Sequence, residues 1–254
     1  MTNDHQASRE HPVLKVAGLG VTYPPATMAL ADVTFQVHPG ELVAVVGPNG
    51  AGKSTLFKAI SGLVAHHGTV ELCGNHCHHQ RDRLGAAYIP QRNDLDADFP
   101  ITVGQLVLAG RRRFLRLGQR PGQRHRQAAH DALERVGLAD LHRRPLSTLS
   151  GGQMQRAFLA RALAQEAHLI LLDEALSGVD QPRAEALLDL FGDLARSGTA
   201  FLIATHDLSL ARRRFSRCVA INHRLVADGS PDKALDPASI EATFGAPTTS
   251  NYAA

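Results

Sequence analysis

The sequence has no tryptophan, only three cysteines and few aromatic residues, which make up 5% of its 254 residues. Cys73, Cys77 and Cys218 are too few and too unevenly spaced for a disulfide framework. No apolar run approaches the roughly 18 residues that a membrane-spanning helix needs, and the polar start of the chain lacks the apolar stretch of a secretory signal. We therefore expect a cytoplasmic protein whose role at a membrane, if it has one, depends on a partner.

Hydrophobic residues make up 44% of the chain and charged residues 20%, with a formal net charge of +3. These proportions are ordinary for a globular protein, and they exclude collagen-like and wholly disordered chains. A chain of this length has room for one or two domains and a sizeable core. Local patterns, rather than composition, must therefore indicate the function.

Three nearly continuous apolar runs predict strands that are buried on both faces, as in a parallel sheet. The runs are Glu41–Val46, His168–Leu172 and Ala200–Ala204. Each run ends in a polar loop, and a segment with helical spacing follows. This alternation predicts an open α/β sheet, in which ligands bind at the carboxyl ends of the strands. A glycine-rich loop, an Asp-Glu pair and a histidine stand at these three ends.

Weaker patterns predict the remaining elements. Short β-like patterns cover Val13–Tyr23, Ala31–Val37, Gly68–Leu72 and Ala86–Ile89. Helical spacing runs from Thr102 to Val136 with breaks at Gly118 and Pro121-Gly122, then from near Gly152 to Gln165 and from Gln181 to Arg196.

The glycine-rich loop fits the pattern G-x-x-x-x-G-K-[ST], which binds nucleotide phosphates. Its glycines let successive backbone N–H groups face one centre, and the following helix adds its N-terminal partial positive charge. Lys53 would reach the β- and γ-phosphates, and the Ser54 hydroxyl would ligate Mg²⁺. The candidate phosphate-binding residues are Gly47, Pro48, Asn49, Gly50, Ala51, Gly52, Lys53, Ser54 and Thr55.

The Asp-Glu pair supplies the second half of a nucleotide-hydrolysing site. Asp173 stands at the end of an apolar strand, where it would hold Mg²⁺, and Glu174 would orient or deprotonate the attacking water. An apolar run that ends in Asp-Glu is common by itself. Its position after an established nucleotide loop makes the catalytic interpretation the stronger one.

A second glycine pair, in Leu149-Ser-Gly-Gly-Gln153, forms another candidate anion cradle at a helix start. One nucleotide does not need two phosphate loops from one face, so the second would serve the nucleotide of a partner chain. With these three patterns the chain resembles the ATP-binding subunit of an ABC transporter, over about Val13 to Gly245. The resemblance gives Ser150, Gly151, Gly152 and Gln153 this role across a homodimer.

The resemblance also assigns roles to four single residues. Gln91 would sense Mg²⁺ and water, and His206 would contact the γ-phosphate. Asp180, at the end of Ser177-Gly-Val-Asp180, would contact the opposite subunit. Tyr23 would stack on adenine, although a core or edge-strand tyrosine is a fair alternative. One departure is Ala175, which stands where members usually carry proline after the catalytic glutamate and could loosen that loop.

The resemblance implies an α/β fold with a P-loop NTPase core sheet of the ABC type, an antiparallel β subdomain and a helical signature subdomain. We expect a single ATP-binding domain at 13–245, with the helical subdomain at about 92–160 and flexible tails at 1–12 and 246–254. ATP and Mg²⁺ are the implied cofactors. The expected place is the inner face of the cell membrane, as a cytoplasmic, peripheral subunit bound to an integral-membrane permease, with no nucleic-acid partner.

The stretch Tyr88 to Gly110, with Phe99-Pro-Ile-Thr-Val103, resembles the branch that imports zinc or manganese with an extracytoplasmic metal-binding protein. The cassette does not touch the transported metal, so this assignment rests on family association alone. The alternatives are a cassette for another substrate, a non-transport ABC ATPase that acts in DNA repair, on ribosomes or in assembly, and a GTPase. A non-transport ABC ATPase would carry long coiled coils or a second cassette, and a GTPase would carry an Asn-Lys-x-Asp motif; the sequence has none of these.

Two local biases remain. Seven arginines and no acidic residue lie within 111–126, which indicates either a solvated face or attraction to anionic lipid headgroups. Nucleic-acid binding is disfavoured because only Phe114 is aromatic there.

A cluster of cysteine and histidine residues offers enough donors for a Zn²⁺ sensor. Its members are Cys73, His76, Cys77, His78 and His79. A solvated polar loop is the simpler interpretation of that cluster.

Overall fold

The structure is a computed structural model that describes residues 11–73, 75–76, 85–91, 100–174, 176 and 180–245. Within these residues the chain forms ten strands in two sheets. The strands are β1 (Leu14–Tyr23), β2 (Thr27–Val37), β3 (Leu42–Val46), β4 (His67–Leu72), β5 (Asn75–His76), β6 (Ala86–Ile89), β7 (Leu169–Leu172), β8 (Ala200–Thr205), β9 (Arg217–Ile221) and β10 (Leu225–Gly229).

The larger sheet has six strands in the order β10-β9-β3-β8-β7-β6. Its five strands from β9 to β6 are parallel, and β10 is antiparallel to β9. The apolar runs β3, β7 and β8 occupy its centre, which confirms the predicted parallel α/β sheet. Their carboxyl ends therefore lie at one edge of the sheet.

Both faces of the central strands are buried, which explains why their sequences are apolar without alternation. In β3, Val43 and Val45 pack into the core shared with the smaller sheet, whereas Ala44 and Val46 pack into the core on the helical side. The smaller sheet is antiparallel, with the order β2-β1-β4-β5. It covers one face of the larger sheet.

Eight α-helices lie in the described part of the chain. They are α1 (Lys53–Ile60), α2 (Val103–Ala109), α3 (Gln123–Arg135), α4 (Gly151–Ala164), α5 (Gln181–Arg196), α6 (Leu208–Arg214), α7 (Pro231–Ala234) and α8 (Pro237–Phe244). Helices α2, α3 and α4 pack on one another as a helical layer. None of the helices in the described ranges is long and apolar enough to span a membrane.

The sequence predictions for the helices agree with these bounds, including the break in the 102–136 pattern. There, α2 passes into a 3₁₀-helix at Gly110–Phe114 before α3 begins. The strand predictions need correction. Strand β2 begins at Thr27 rather than Ala31, as an exposed edge segment. No pattern predicted strands β5, β9 and β10 or the short helices α7 and α8.

Candidate functional site

The loop from Gly47 to Gly52 follows β3 and turns sharply into α1. A side chain at Gly47 is excluded, because a Cβ there would lie 2.2 Å from the carbonyl oxygen of Ile221. Gly52 has φ 97°, in the left-handed region that favours glycine, and it caps α1 without a side chain. The loop can therefore turn its N–H groups toward one centre at the start of α1.

The turn between β9 and β10 holds this loop through backbone hydrogen bonds. The His223 N–H donates to the Ala51 carbonyl at 2.9 Å, and the His223 carbonyl accepts from the Ala31 N–H at 2.7 Å. The turn thus joins the loop to β2 in the antiparallel sheet. This contact cannot be predicted from the sequence, since backbone hydrogen bonds between distant segments leave no local pattern.

Lys53 is the buried cation of the site. Its Nζ donates to the carbonyl oxygens of Gly47 at 2.7 Å and Pro48 at 3.0 Å. Burial lowers the pKa of Lys53, and the charges of Glu174 and Asp173 act in the opposite direction. The amine therefore lies within electrostatic reach of both acidic residues.

Asp173 lies at the carboxyl end of β7 and is only 3% exposed. Its Oδ2 accepts a hydrogen bond from the Tyr88 hydroxyl at 3.0 Å, because β6 pairs with β7 and brings Tyr88 opposite Leu171. Its Oδ1 is buried and has no hydrogen-bond partner in the described part of the protein. A buried carboxylate oxygen without a partner fits a cation or its bound water.

Glu174 and Gln91 meet beside this carboxylate. The Gln91 Nε2 donates to Glu174 Oε2 at 2.9 Å. Glu174 has φ 48°, which is uncommon for a residue with a side chain and often marks a functional site. The two residues are 83 positions apart in the sequence, so their contact brings two separately predicted site residues together.

His206 follows β8 and shares a cavity of about 400 Å³ with Glu174, Thr205 and Asp207. Asp207 begins α6, where its side chain accepts from the Leu210 N–H at 2.8 Å. Burial alone would raise the pKa of Asp207, but its hydrogen bonds hold that pKa below the usual value. The ionised Asp207 side chain fixes the backbone directly after His206. His206 itself is exposed.

Tyr23, Ser150 and Asp180 lie outside this cluster of contacts. The Tyr23 hydroxyl is 3.5 Å from the Thr55 hydroxyl, which places the ring beside the start of α1. Ser150 caps α4 in a reciprocal pair with Gln153, and Asp180 caps α5. In the described ranges, no hydrogen bond from these two caps reaches the glycine-rich loop.

The Cys/His cluster lies largely outside the described residues. Cys73 is exposed, while Cys77, His78, His79 and the side chain of His76 fall outside, as does Ala175. Among the residues that can be described, no group of three or more His, Cys, Asp or Glu side chains could hold a metal ion. The Zn²⁺ interpretation stays a prediction.

Comparison with known proteins finds a transporter family and ATP-binding proteins of metal transport systems. The family model described as ABC transporter matches residues 30–177. The manganese transport system ATP-binding protein MntB of Halalkalibacterium halodurans is 38% identical over 92% of this chain and 92% of its own length. The zinc transport system ATP-binding protein TroB of Treponema pallidum is 41% identical over 85% of this chain and 81% of its own.

A solved structure is similar over nearly the whole chain. It is described as an inward-facing conformation of a putative metal-chelate type ABC transporter. It superposes with a TM-score of 0.81 at 27% identity and covers 93% of this chain and 90% of its own. The two sheets and the helical layer thus have a close counterpart in that protein.

Proposed function

This chain belongs to the ABC transporter family, and from that premise we propose that it drives a membrane permease that imports a divalent metal ion, zinc or manganese. It is an ATP-binding subunit and an ATPase. The choice of metal is supported by relatives named for manganese transport and for zinc transport. The proposal places the subunit at the inner face of the membrane, with a permease and an extracytoplasmic metal-binding protein and without nucleic acid.

The observation that carries the catalytic proposal is the contact between Gln91 and Glu174 beside the buried Asp173. Polar residues from two neighbouring strand ends meet there, and the two carboxylates act electrostatically on Lys53. Such a set at the carboxyl edge of a parallel sheet is suited to hydrolysis of a nucleotide that lies on the glycine-rich loop.

Lys53 would exchange partners when ATP binds. Its Nζ donates to two loop carbonyls in the structure, and phosphate oxygens would offer the same amine a charged acceptor. The ammonium group is charged in both arrangements, but a phosphate oxygen adds a full negative charge on the acceptor, so the exchange adds Coulomb attraction and favours ATP binding. The backbone N–H groups of the loop and the start of α1 would complete the phosphate site.

Mg²⁺ fits the donor set around Asp173, and when bound it would neutralise developing charge on the β- and γ-phosphates. Asp173 Oδ1, the Ser54 hydroxyl and the Gln91 amide oxygen would hold it, directly or through water. Gln91 donates its Nε2 to Glu174, which leaves the amide oxygen to face a cation. Gln91 would thus link the two groups, since its oxygen would contact Mg²⁺ while its nitrogen positions the carboxylate of Glu174.

Glu174 would act as the general base on the attacking water. The amide of Gln91 fixes Oε2, so Oε1 is the oxygen that would accept the proton. His206 shares the cavity with Glu174 and would contact the γ-phosphate. Tyr23, beside Thr55, would stack on adenine.

The segment Ser150 to Gln153 would complete the site of a second copy of the chain. A Cβ at Gly152 would meet no atom within 4 Å, so nothing within the described residues demands glycine there. A phosphate that approaches the start of α4 from a partner would demand it, because backbone N–H groups must come close. Asp180 would contact the same partner, in a homodimer with ATP between the facing subunits.

Metal uptake by cells that lack this chain tests the proposed function. Restoring the intact chain should restore uptake of zinc or of manganese, and the matched Lys53→Ala chain should not. If deletion leaves the uptake of both metals unchanged, the proposed import function is wrong. The metal whose uptake changes identifies the cargo.

A further inference from the structure

Residues 111–126, which we call the arginine tip, run from the end of α2 through the first turn of α3. No aspartate or glutamate occurs between Pro100 and His130. Five arginines of the tip are exposed, and none of the five forms an ion pair in the described part of the chain. They are Arg112, Arg116, Arg120, Arg124 and Arg126.

A tight turn holds one leucine outward among these arginines. The Gln119 N–H donates to the Arg116 carbonyl at 2.9 Å, and the Arg116 N–H donates to the Gln119 side-chain oxygen at 3.0 Å. Gly118 takes the left-handed conformation that such a turn requires, at φ 79°. Leu117, the residue before Gly118, is fully exposed. The two hydrogen bonds between Arg116 and Gln119 hold the turn in this conformation.

The base of the tip is fixed to the helical layer. Arg111 is buried, and its Nη1 donates to the Ala164 carbonyl at 2.7 Å and to Glu166 at 2.6 Å. Its guanidinium also lies 3.9 Å from the centre of the Phe114 ring. Arg111 therefore has a structural role, which corrects the expectation that the whole run is solvated. It anchors the segment that carries the other arginines.

We propose that the arginine tip binds the surface of an anionic lipid bilayer, with Leu117 inserted at the level of the headgroups. The positive charge complements anionic headgroups. The exposed Leu117 side chain can bury its apolar surface in a bilayer, whereas a nucleic acid or a free phosphate offers no hydrocarbon to receive it. This inference rests on the proposed position at a membrane and deepens it. The subunit would touch lipid directly as well as a permease.

Vesicle binding by the full-length purified chain, without permease, tests the proposal separately from metal import. Vesicles of phosphatidylcholine with phosphatidylglycerol should bind the chain, and vesicles of phosphatidylcholine alone should not. Each arginine near the surface contributes about fivefold in partitioning, so Arg116→Gln/Arg120→Gln should lower it about thirtyfold. Arg143→Gln/Arg144→Gln, which removes the same charge from another exposed site, should bind like the unchanged chain.

Leu117→Ser distinguishes a bilayer from a general polyanion site. Insertion predicts about tenfold weaker partitioning for this variant at unchanged charge. Equal binding to both vesicle types, or equal losses in the two double variants, would overturn the proposal. It would also be overturned if Leu117→Ser bound vesicles normally, or if the tip variants bound normally but failed to assemble with the permease.

Discussion

Gly152→Ala separates what the chain needs for its own fold from what it needs for a partner. In the structure a Cβ at this position points into open space, with no atom within 4 Å. Gly152 is the second residue of α4, where glycine costs backbone entropy relative to alanine. The substitution should therefore raise the free energy of unfolding by up to about 1 kcal/mol, and the melting temperature by about 2–4 °C.

The same methyl group should impair hydrolysis, because the start of α4 is proposed to touch the nucleotide of a facing subunit. A displacement of about 1 Å at a reacting centre can cost about 100-fold in rate. Steady-state ATPase activity of the assembled transporter should fall by about that factor, while thermal unfolding of the isolated chain shows the gain in stability.

Gly192→Ala is the matched control, since it lies within helix α5 and its Cβ would make only an ordinary contact, 3.7 Å from Arg196 Nη1. It should leave ATPase activity unchanged. Gly47→Ala provides the contrast, because its Cβ would lie 2.2 Å from a backbone oxygen and should destabilise the fold. Normal ATPase activity in Gly152→Ala would refute the role across the interface, and a lower melting temperature would refute the open geometry.

Two further predictions concern single contacts. In a crosslinked heterodimer of a Lys53→Ala chain and a Ser150→Arg chain, both defects should fall in one composite site, so titration should find one ATP site of normal affinity; two equally weakened sites would contradict action across the interface. Tyr88→Phe removes the hydroxyl that donates to the buried carboxylate of Asp173, and the free energy of unfolding in urea should fall by about 1–3 kcal/mol. An unchanged value would mean that this hydrogen bond does not form.

Much of the core sheet could be predicted because burial on both faces leaves a plain signature. Strands β3 and β7 are apolar throughout, and β8 is apolar up to Thr205. The polar loop after each strand implied a common carboxyl edge. Strand β9 went unpredicted although Cys218–Ile221 is an apolar run buried as deeply as β7, because the run is short and follows the charged Arg217. Arg217 is accommodated by ion pairs with Asp228, on the next strand, and with Glu41, which lies 176 positions away.

In the candidate site, too, some residues could be predicted from the sequence and some contacts could not. The local glycine-loop pattern identified Lys53, and Asp173 and Glu174 were identified because an apolar strand that ends in Asp-Glu follows that loop later in the chain. The Tyr88 contact depends on the register between β6 and β7, and burial of Arg111 depends on a carboxylate 55 positions away. Such long-range pairings are set by packing, so local sequence patterns do not contain them.

The central claim is that Glu174 activates water at a nucleotide site built on the carboxyl edge of the sheet. Glu174→Gln keeps the size and polarity of the side chain but removes its basicity. We expect this variant, purified with its permease, to bind ATP, to accumulate as an ATP-bound dimer and to show no steady-state hydrolysis. Near-normal ATPase activity in the same preparation would contradict it.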